Sequence, residues 1–272
     1  MKQTIEGMKE IAREIRLKVI EMVYQSGRAH PGGSLSAADI LVALYFGGIL
    51  RYDPQNPKRE GRDFFILSNG HTCPDWYAVL AKANFFPKEK LTSLRELGSP
   101  LQGHPEKGRL DVIETTTGSL GQGICVGVGI AIGLKRQKSI NRVFILTSDG
   151  EQDEGSVWEA LRIAAFEKLD NLTIIIDRNG MQIDGPTEKI SSLEPLKEKY
   201  LAFGFEVEVV DGHNLSQLVN TLRKRTQGKP YAIIAKTIRG KGVSFMENSP
   251  HYHAKTLTKE EYFKAIAELE TE

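Results

Sequence analysis

Two apolar runs of strand length, joined by one helix-length segment and each closed by a polar residue beside a glycine, constrain this chain most. Arg142-Val143-Phe144-Ile145-Leu146-Thr147 ends in Ser148-Asp149-Gly150, and Leu172-Thr173-Ile174-Ile175-Ile176-Asp177 is followed by Asn179-Gly180. Between them, Gly155 to Lys168 carries Val157, Trp158, Leu161, Ala164, Ala165 and Leu169 near helical spacing. Strand, helix and strand of these lengths make a right-handed parallel crossover, so Asp149 and Asn179 emerge together at the carboxyl ends of neighbouring strands. A carboxylate and an amide oxygen placed there suit one hard cation whose remaining ligands are water and phosphate oxygens. Gly150 allows the backbone to approach an anion closely. Either fragment alone is also an ordinary way to leave a parallel strand, since Gly and Asn tolerate turn geometry. The pair on one crossover, with 28 residues between Gly150 and Asn179, favours a diphosphate held through a divalent metal.

The rest of the chain extends the same alternation. Residues 4–27 read as an amphipathic helix with Ile11, Ile15, Val19, Met22 and Val23 on one side. Gly27 to Ser34 reads as a Pro/Gly loop, with Ser36 capping a helix over Ala37–Tyr45. Strands follow at Arg62–Ser68, Phe205–Val210 and Tyr231–Thr237, and helices at Trp76–Ala83, Gly123–Lys135, Pro195–Ala202 and Leu215–Thr226. The polar stretch Gly98–Ile113 is longer than most connections, which favours a functional loop. The weakly polar Gly121–Leu134 is too short to span a bilayer and reads as a close-packed interior helix. The expected fold is α/β: a doubly wound parallel sheet flanked by helices, one domain over residues 1–272 with a C-terminal tail.

Charge and cysteine content narrow the function classes. A formal net charge of +1 gives no electrostatic case for nucleic acid or an acidic membrane as partner. The charged amino terminus lacks the apolar core of a secretion signal. Cys73 and Cys125 have no metal-type spacing and read as small buried hydrophobes in a reducing cytoplasm.

Thr115-Thr116-Thr117-Gly118-Ser119-Leu120-Gly121-Gln122-Gly123 places glycines and hydroxyls at a helix start, where backbone N–H groups attract phosphate oxygens. Four of the six histidines stand in loop-like settings: His30, His71, His104 and His253. Imidazole titrates near working pH and has two distinct nitrogens, so loop histidines suit proton transfer and recognition of sugar hydroxyls. A single loop histidine can equally brace its own loop. His213, in Asp211-Gly212-His213-Asn214, reads as a turn residue.

The ordered set Ala29-His30-Pro31-Gly32-Gly33, Leu67-Ser68-Asn69-Gly70-His71, Gly103-His104-Pro105-Glu106, Thr116 to Gly123, Ser148-Asp149-Gly150 with Glu154-Gly155, and Asn179 to Gly185 resembles the amino-terminal, diphosphate-binding domain of transketolase. The resemblance covers nearly the whole chain. It implies the thiamine-diphosphate-binding fold of the diphosphate (PP) type, with Asp149, Asn179 and the backbone carbonyl of Met181 holding Mg²⁺ or Ca²⁺. Gly118, Leu120, Gly150 and His71 would line the diphosphate and thiazolium side of the cofactor. His30, His104 and His253 would face the sugar, and Glu154 would lie at a subunit contact linking paired active sites. The match behind His253 is loose, and His251 competes with it. Ser148 and Ala29 stand where the family usually has Gly.

In the family, a second domain supplies the glutamate that hydrogen-bonds the aminopyrimidine. The expectation is therefore a split enzyme. This chain would be the amino-terminal half, another chain would carry the pyrimidine-binding and C-terminal domains, and two copies of each would form a heterotetramer. The implied reaction moves a two-carbon ketol unit from a ketose phosphate to an aldose phosphate. A branched apulose phosphate, a deoxyxylulose-phosphate-synthase-like activity and a non-catalytic cofactor-binding module are the alternatives. A nicotinamide-binding protein is disfavoured, because no strand precedes a G-x-G-x-x-G with an acid downstream.

Overall fold

The computed structural model describes residues 2–271. Five strands, β1 (Phe64–Leu67), β2 (Val143–Ser148), β3 (Leu172–Arg178), β4 (Glu206–Asp211) and β5 (Tyr231–Lys236), form one sheet in the order β1-β2-β3-β5-β4. Every neighbouring pair is parallel, and the β2–β3 register runs from Val143↔Leu172 to Ser148↔Asp177. The helices are α1 (Ile5–Ser26), α2 (Pro31–Phe46), α3 (Cys73–Lys82), α4 (Gln122–Arg136), α5 (Gly155–Phe166), the short α6 (Thr187–Ile190), α7 (Leu196–Ala202), α8 (Leu215–Leu222) and α9 (Lys259–Glu270). Among the described residues no helix is long and apolar enough to cross a membrane.

Alternation along the strands builds two cores, because successive side chains point to opposite faces. Phe144, Leu146, Ile175 and Ile233 pack with α1, α2, α3, α8 and α9, whereas Val143, Ile145, Ile174, Ile176 and Ile234 pack with α4, α5 and α7. The sheet is thus wound on both faces, as the near-continuous apolar runs of the central strands β2 and β3 require.

Four details differ from the sequence reading. Helix α2 starts at Pro31, not Ala37, and its N-cap is His30, not Ser36. Proline at the first helical position lacks only an N–H that would be unpaired there anyway. The two glycines inside this turn are demanded by packing. A Cβ on Gly32 would sit 2.8 Å from Arg239 Nε, and one on Gly33 would sit 2.8 Å from Thr72 Cγ2. All of α2 is buried, so its sequence has no polar face to betray its start.

The expected C-terminal tail contains α9. It is opened by a capping box of Thr258 and Glu261, and Tyr262 stacks on Tyr24 of α1 at 4.4 Å. Helix α4 is not interior in this chain: Gly123, Ile124, Gly127, Val128 and Ala131 face the sheet, while Val126 on the opposite side is 40% exposed. Its glycines set the sheet-side distance, since a Cβ on Gly127 would come within 2.3 Å of Ile145 Cδ1. Finally, Cys73 is buried as expected, but Cys125 on α4 is only half-buried.

Candidate functional site

The carboxyl ends of the strands converge on one cavity of about 330 Å³. Its lining includes His30, His71, His104, Gly118, Leu120, Gly150, Asn179, Met181 and His253, residues drawn from seven separate stretches of sequence. Asp149 lies buried beneath it, with no exposed side-chain surface, and Ser148 and Asp177 also reach the wall.

Asp149 is held on one side only. Its Oδ2 accepts from the Gly180 N–H and faces Arg178 at 3.2 Å, while its Oδ1 is buried with no hydrogen-bond partner. An unpaired buried carboxylate oxygen is costly unless something cationic completes it. Burial is the main reason the carboxyl is pushed up to about 7, with Arg178 opposing that shift. Beside it, Asn179 donates from Nδ2 to Asp177 Oδ2 at 3.0 Å, which fixes the amide's orientation, and its Oδ1 accepts from the Met181 N–H at 3.1 Å. A carboxylate oxygen, an amide oxygen and a nearby carbonyl are oxygen donors of the kind hard divalent cations take. Among the described residues no group of three or more His, Cys, Asp or Glu side chains forms an all-side-chain metal cluster. The residues therefore fit an oxygen-rich Mg²⁺ or Ca²⁺ site better than a zinc or iron site.

Four imidazoles line the same cavity. His30 lies 5.2 Å from His71, 6.1 Å from His104 and 5.2 Å from His253, measured between ring centroids. Burial lowers His30 to about 3, helped by His253, His104 and nearby arginines. Burial and then Arg239 lower His253 to about 4. Burial also holds His71 well below its ordinary value and lowers His104. All four rings are therefore neutral near pH 7, each able to donate from one nitrogen and accept at the other.

Glycine geometry keeps the cavity open. Gly118 has φ +137°, and a Cβ there would press within 3.1 Å of the His104 ring. Of the two C-terminal histidines, His253 lines the cavity and His251 is exposed outside it. Glu154 is not in the cavity: it caps α5 and is exposed.

The sequence reading missed three neighbours. Asp177, fully buried, accepts from Ser36 Oγ at 2.6 Å, from Asn179 and from Thr237 Oγ1, so it braces the predicted amide ligand against α2 and β5. Arg239 is the one Arg or Lys on the cavity lining among the described residues; it donates to the Gln182 carbonyl at 2.8 Å and meets His253 Nδ1. Glu151, also buried, accepts from Ser68 Oγ at 2.5 Å and from the Gly121 N–H at 2.9 Å, tying the glycine-rich turn to the end of β2. A signal for Asp177 existed: it is a charged residue at the carboxyl end of an apolar strand, the same cue that singled out Asp149, whereas Arg239 lies beyond the end of β5 and carries no such cue.

Residues 8–270 match the family described as "Transketolase, thiamine diphosphate binding domain". The chain is 43% identical over 263 residues to a 6-deoxy-6-sulfo-D-fructose transketolase subunit of Clostridium sp. (strain MSTE9), covering 96% of this chain and 95% of that one. It is 39% identical over 267 residues to an apulose-4-phosphate transketolase subunit of Phocaeicola vulgatus, covering 97% and 94%. Against the solved transketolase of Campylobacter jejuni the TM-score is 0.92 at 32% identity, over 98% of this chain but 43% of that one. The chain thus spans less than half of this longer transketolase and nearly all of the two shorter relatives.

Proposed function

The chain belongs to the transketolase family as a thiamine diphosphate-binding domain, and from that premise we propose that it is the amino-terminal subunit of a two-chain transketolase. Two relatives of nearly the same length carry the word subunit in their names, which supports a partner chain that completes the cavity. The partner would bring the pyrimidine-binding and C-terminal domains. We place the complex in the cytoplasm as two copies of each chain.

The observation that carries the reading is the meeting of four neutral histidines with a one-sided, oxygen-rich floor in the same cavity. A mere cofactor-binding module needs the floor but not the histidines. Asp149 Oδ1, Asn179 Oδ1 and the Met181 carbonyl would hold Mg²⁺ or Ca²⁺. Gly118, Leu120, Gly150 and His71 would line the diphosphate and thiazolium side. Thiamine diphosphate, when bound, supplies the electron sink for cleaving a carbon–carbon bond beside a ketone.

This chain's residues would orient the sugar and manage its protons. His30, His104 and His253, kept neutral by burial and by neighbouring positive charge, can each accept a hydroxyl proton and hand it back without first losing one. Glu154 and the exposed Ile163 and Phe166 on α5 would face a second copy or the partner.

The ketose carries a terminal anionic group on this reading. Its identity is open between a phosphate, as in the apulose relative, and a sulfonate, as in the sulfofructose relative. The test is ketol transfer from xylulose 5-phosphate, apulose 4-phosphate and 6-deoxy-6-sulfofructose to ribose 5-phosphate, with Mg²⁺ and thiamine diphosphate. It compares the purified chain with the complex recovered on a tagged copy from its host. Activity confined to the complex supports the proposal, and the preferred donor names the substrate. Full activity of the chain alone, or a complex inactive on every ketose, would refute it.

A further inference from the structure

His213 lies outside the cavity, yet it hydrogen-bonds the residue just before Arg239, which lines it. The residue sits in the turn between β4 and α8, where Gly212 has no room for a side chain: a Cβ there would meet Thr237 Cγ2 at 2.4 Å. That close approach brings the imidazole against the segment leaving β5. Its Nε2 accepts from the Ile238 N–H at 2.8 Å. A backbone N–H only donates, so Nε2 carries the lone pair, and Nδ1 carries the proton and donates to Asp39 Oδ2 at 2.7 Å.

Asp39 is itself fixed. Its carboxylate pairs with the buried Arg16 of α1, whose Nε donates to the Leu35 carbonyl at 3.3 Å. Burial alone would raise the Asp39 carboxyl, but Arg16 and His213 outweigh it and hold it below its ordinary value. The result is a chain from α1 through α2 to Ile238, along one wall of a second cavity of about 420 Å³.

What the chain holds is the stretch that presents Arg239. Thr237 is anchored to Asp177, Gly240 N–H donates to the Gly32 carbonyl at 2.9 Å, and Arg239 reaches Gln182 and His253. Between those anchors, Ile238 is tied by His213. We infer that His213 is a positioning residue for the ligand cavity, setting through Ile238 the place of Arg239 and, with it, of His253. Its cofactor consequence rests on the reading proposed above, and its structural consequence does not.

Two isosteric halves of the imidazole separate this role from simple pairing with Asp39. His213→Gln places an amide oxygen where Nε2 stood and keeps the Ile238 acceptor. His213→Asn places an amide N–H where Nδ1 stood and keeps only the Asp39 contact. Three measurements on the full chain are made for wild type and both variants: amide exchange over Thr237–Gly240, the imidazole tautomer by ¹⁵N NMR in wild type, and calorimetric binding of Mg²⁺–thiamine diphosphate. The expected result is the Nδ1–H tautomer, with Ile238 protected in wild type and His213→Gln. In His213→Asn, Ile238 exchanges about tenfold faster and the cofactor binds about tenfold more weakly, the size of one lost buried hydrogen bond. Equal Ile238 exchange in all three proteins, or His213→Asn matching wild type while His213→Gln does not, would overturn the inference. Should the chain without its partner not bind the cofactor, the exchange pattern still decides the role of His213, and the function proposed above is decided by the activity of the complex.

Discussion

Asp149→Asn isolates the cation-binding floor from the rest of the molecule. Asp149 has one carboxylate oxygen engaged by Gly180 and Arg178 and the other buried without a partner. The substitution removes the only charged member of the proposed ligand set and leaves its volume nearly unchanged. In metal-free protein the change should be small, within about 1 kcal/mol, because a costly unpaired buried charge disappears along with the Arg178 contact. Arg178 keeps Glu188 at 2.8 Å and Glu194 at 3.1 Å.

With ligand the two proteins should diverge. A site occupied at one hundred times its dissociation constant adds about 2.7 kcal/mol to wild type, which for a chain of this size raises the unfolding midpoint by about 5–10 °C. Asp149→Asn should show almost none of that rise. The assay is thermal unfolding of both proteins with and without Mg²⁺ and thiamine diphosphate. A full ligand-induced rise in the variant would refute the assignment of Asp149 as the metal's anionic ligand.

Two further outcomes follow from the histidine cluster. In the assembled complex, His253→Ala should lower ketol transfer by about a hundredfold or more, the scale of a lost proton-transfer group, whereas His251→Ala should leave kcat/KM within about twofold; the reverse ranking would show that the wrong histidine was placed at the sugar. Acid should destabilise the protein through His30 and His253: unfolded, they protonate below 6.5, but folded they stay neutral to about 3 and about 4, so their contribution is lost as pH falls from 6.5. At about pH 5 each should cost about 1 kcal/mol, after allowance for screening at the open mouth. Buried Asp149 and Glu151, raised to about 7, act in the opposite sense, so the quantity to read is a difference. Urea unfolding of wild type and of His30→Asn/His253→Asn at about pH 7 and pH 5 supplies it, and an identical pH dependence in the two proteins would contradict the depressed values.

Much of this protein was legible in one dimension because its strands are short, apolar and closed by turn residues. The crossover carrying Asp149 and Asn179, the wound parallel sheet and the four loop histidines all follow from patterns within a few residues of each other. The start of α2 was not legible: a helix buried on every side has no polar stripe, and Pro31-Gly32-Gly33 has the composition of a loop. Only the contacts with Arg239 and Thr72 show why those glycines sit inside a helix. His213 was hidden for a related reason, since a Gly-His-Asn turn is ordinary until β4, β5 and α2 are brought side by side.

Local sequence thus determined which residues could do chemistry and at which strand ends they would emerge, because backbone periodicity and turn preference act over short range. Tertiary structure decided which of them share a cavity, that His253 rather than His251 faces it, and that Asp177, Arg239 and His213 belong to its support. Those outcomes depend on burial and on hydrogen bonds between segments far apart in the chain, 174 residues in the His213–Asp39 contact, and no local pattern encodes such a meeting.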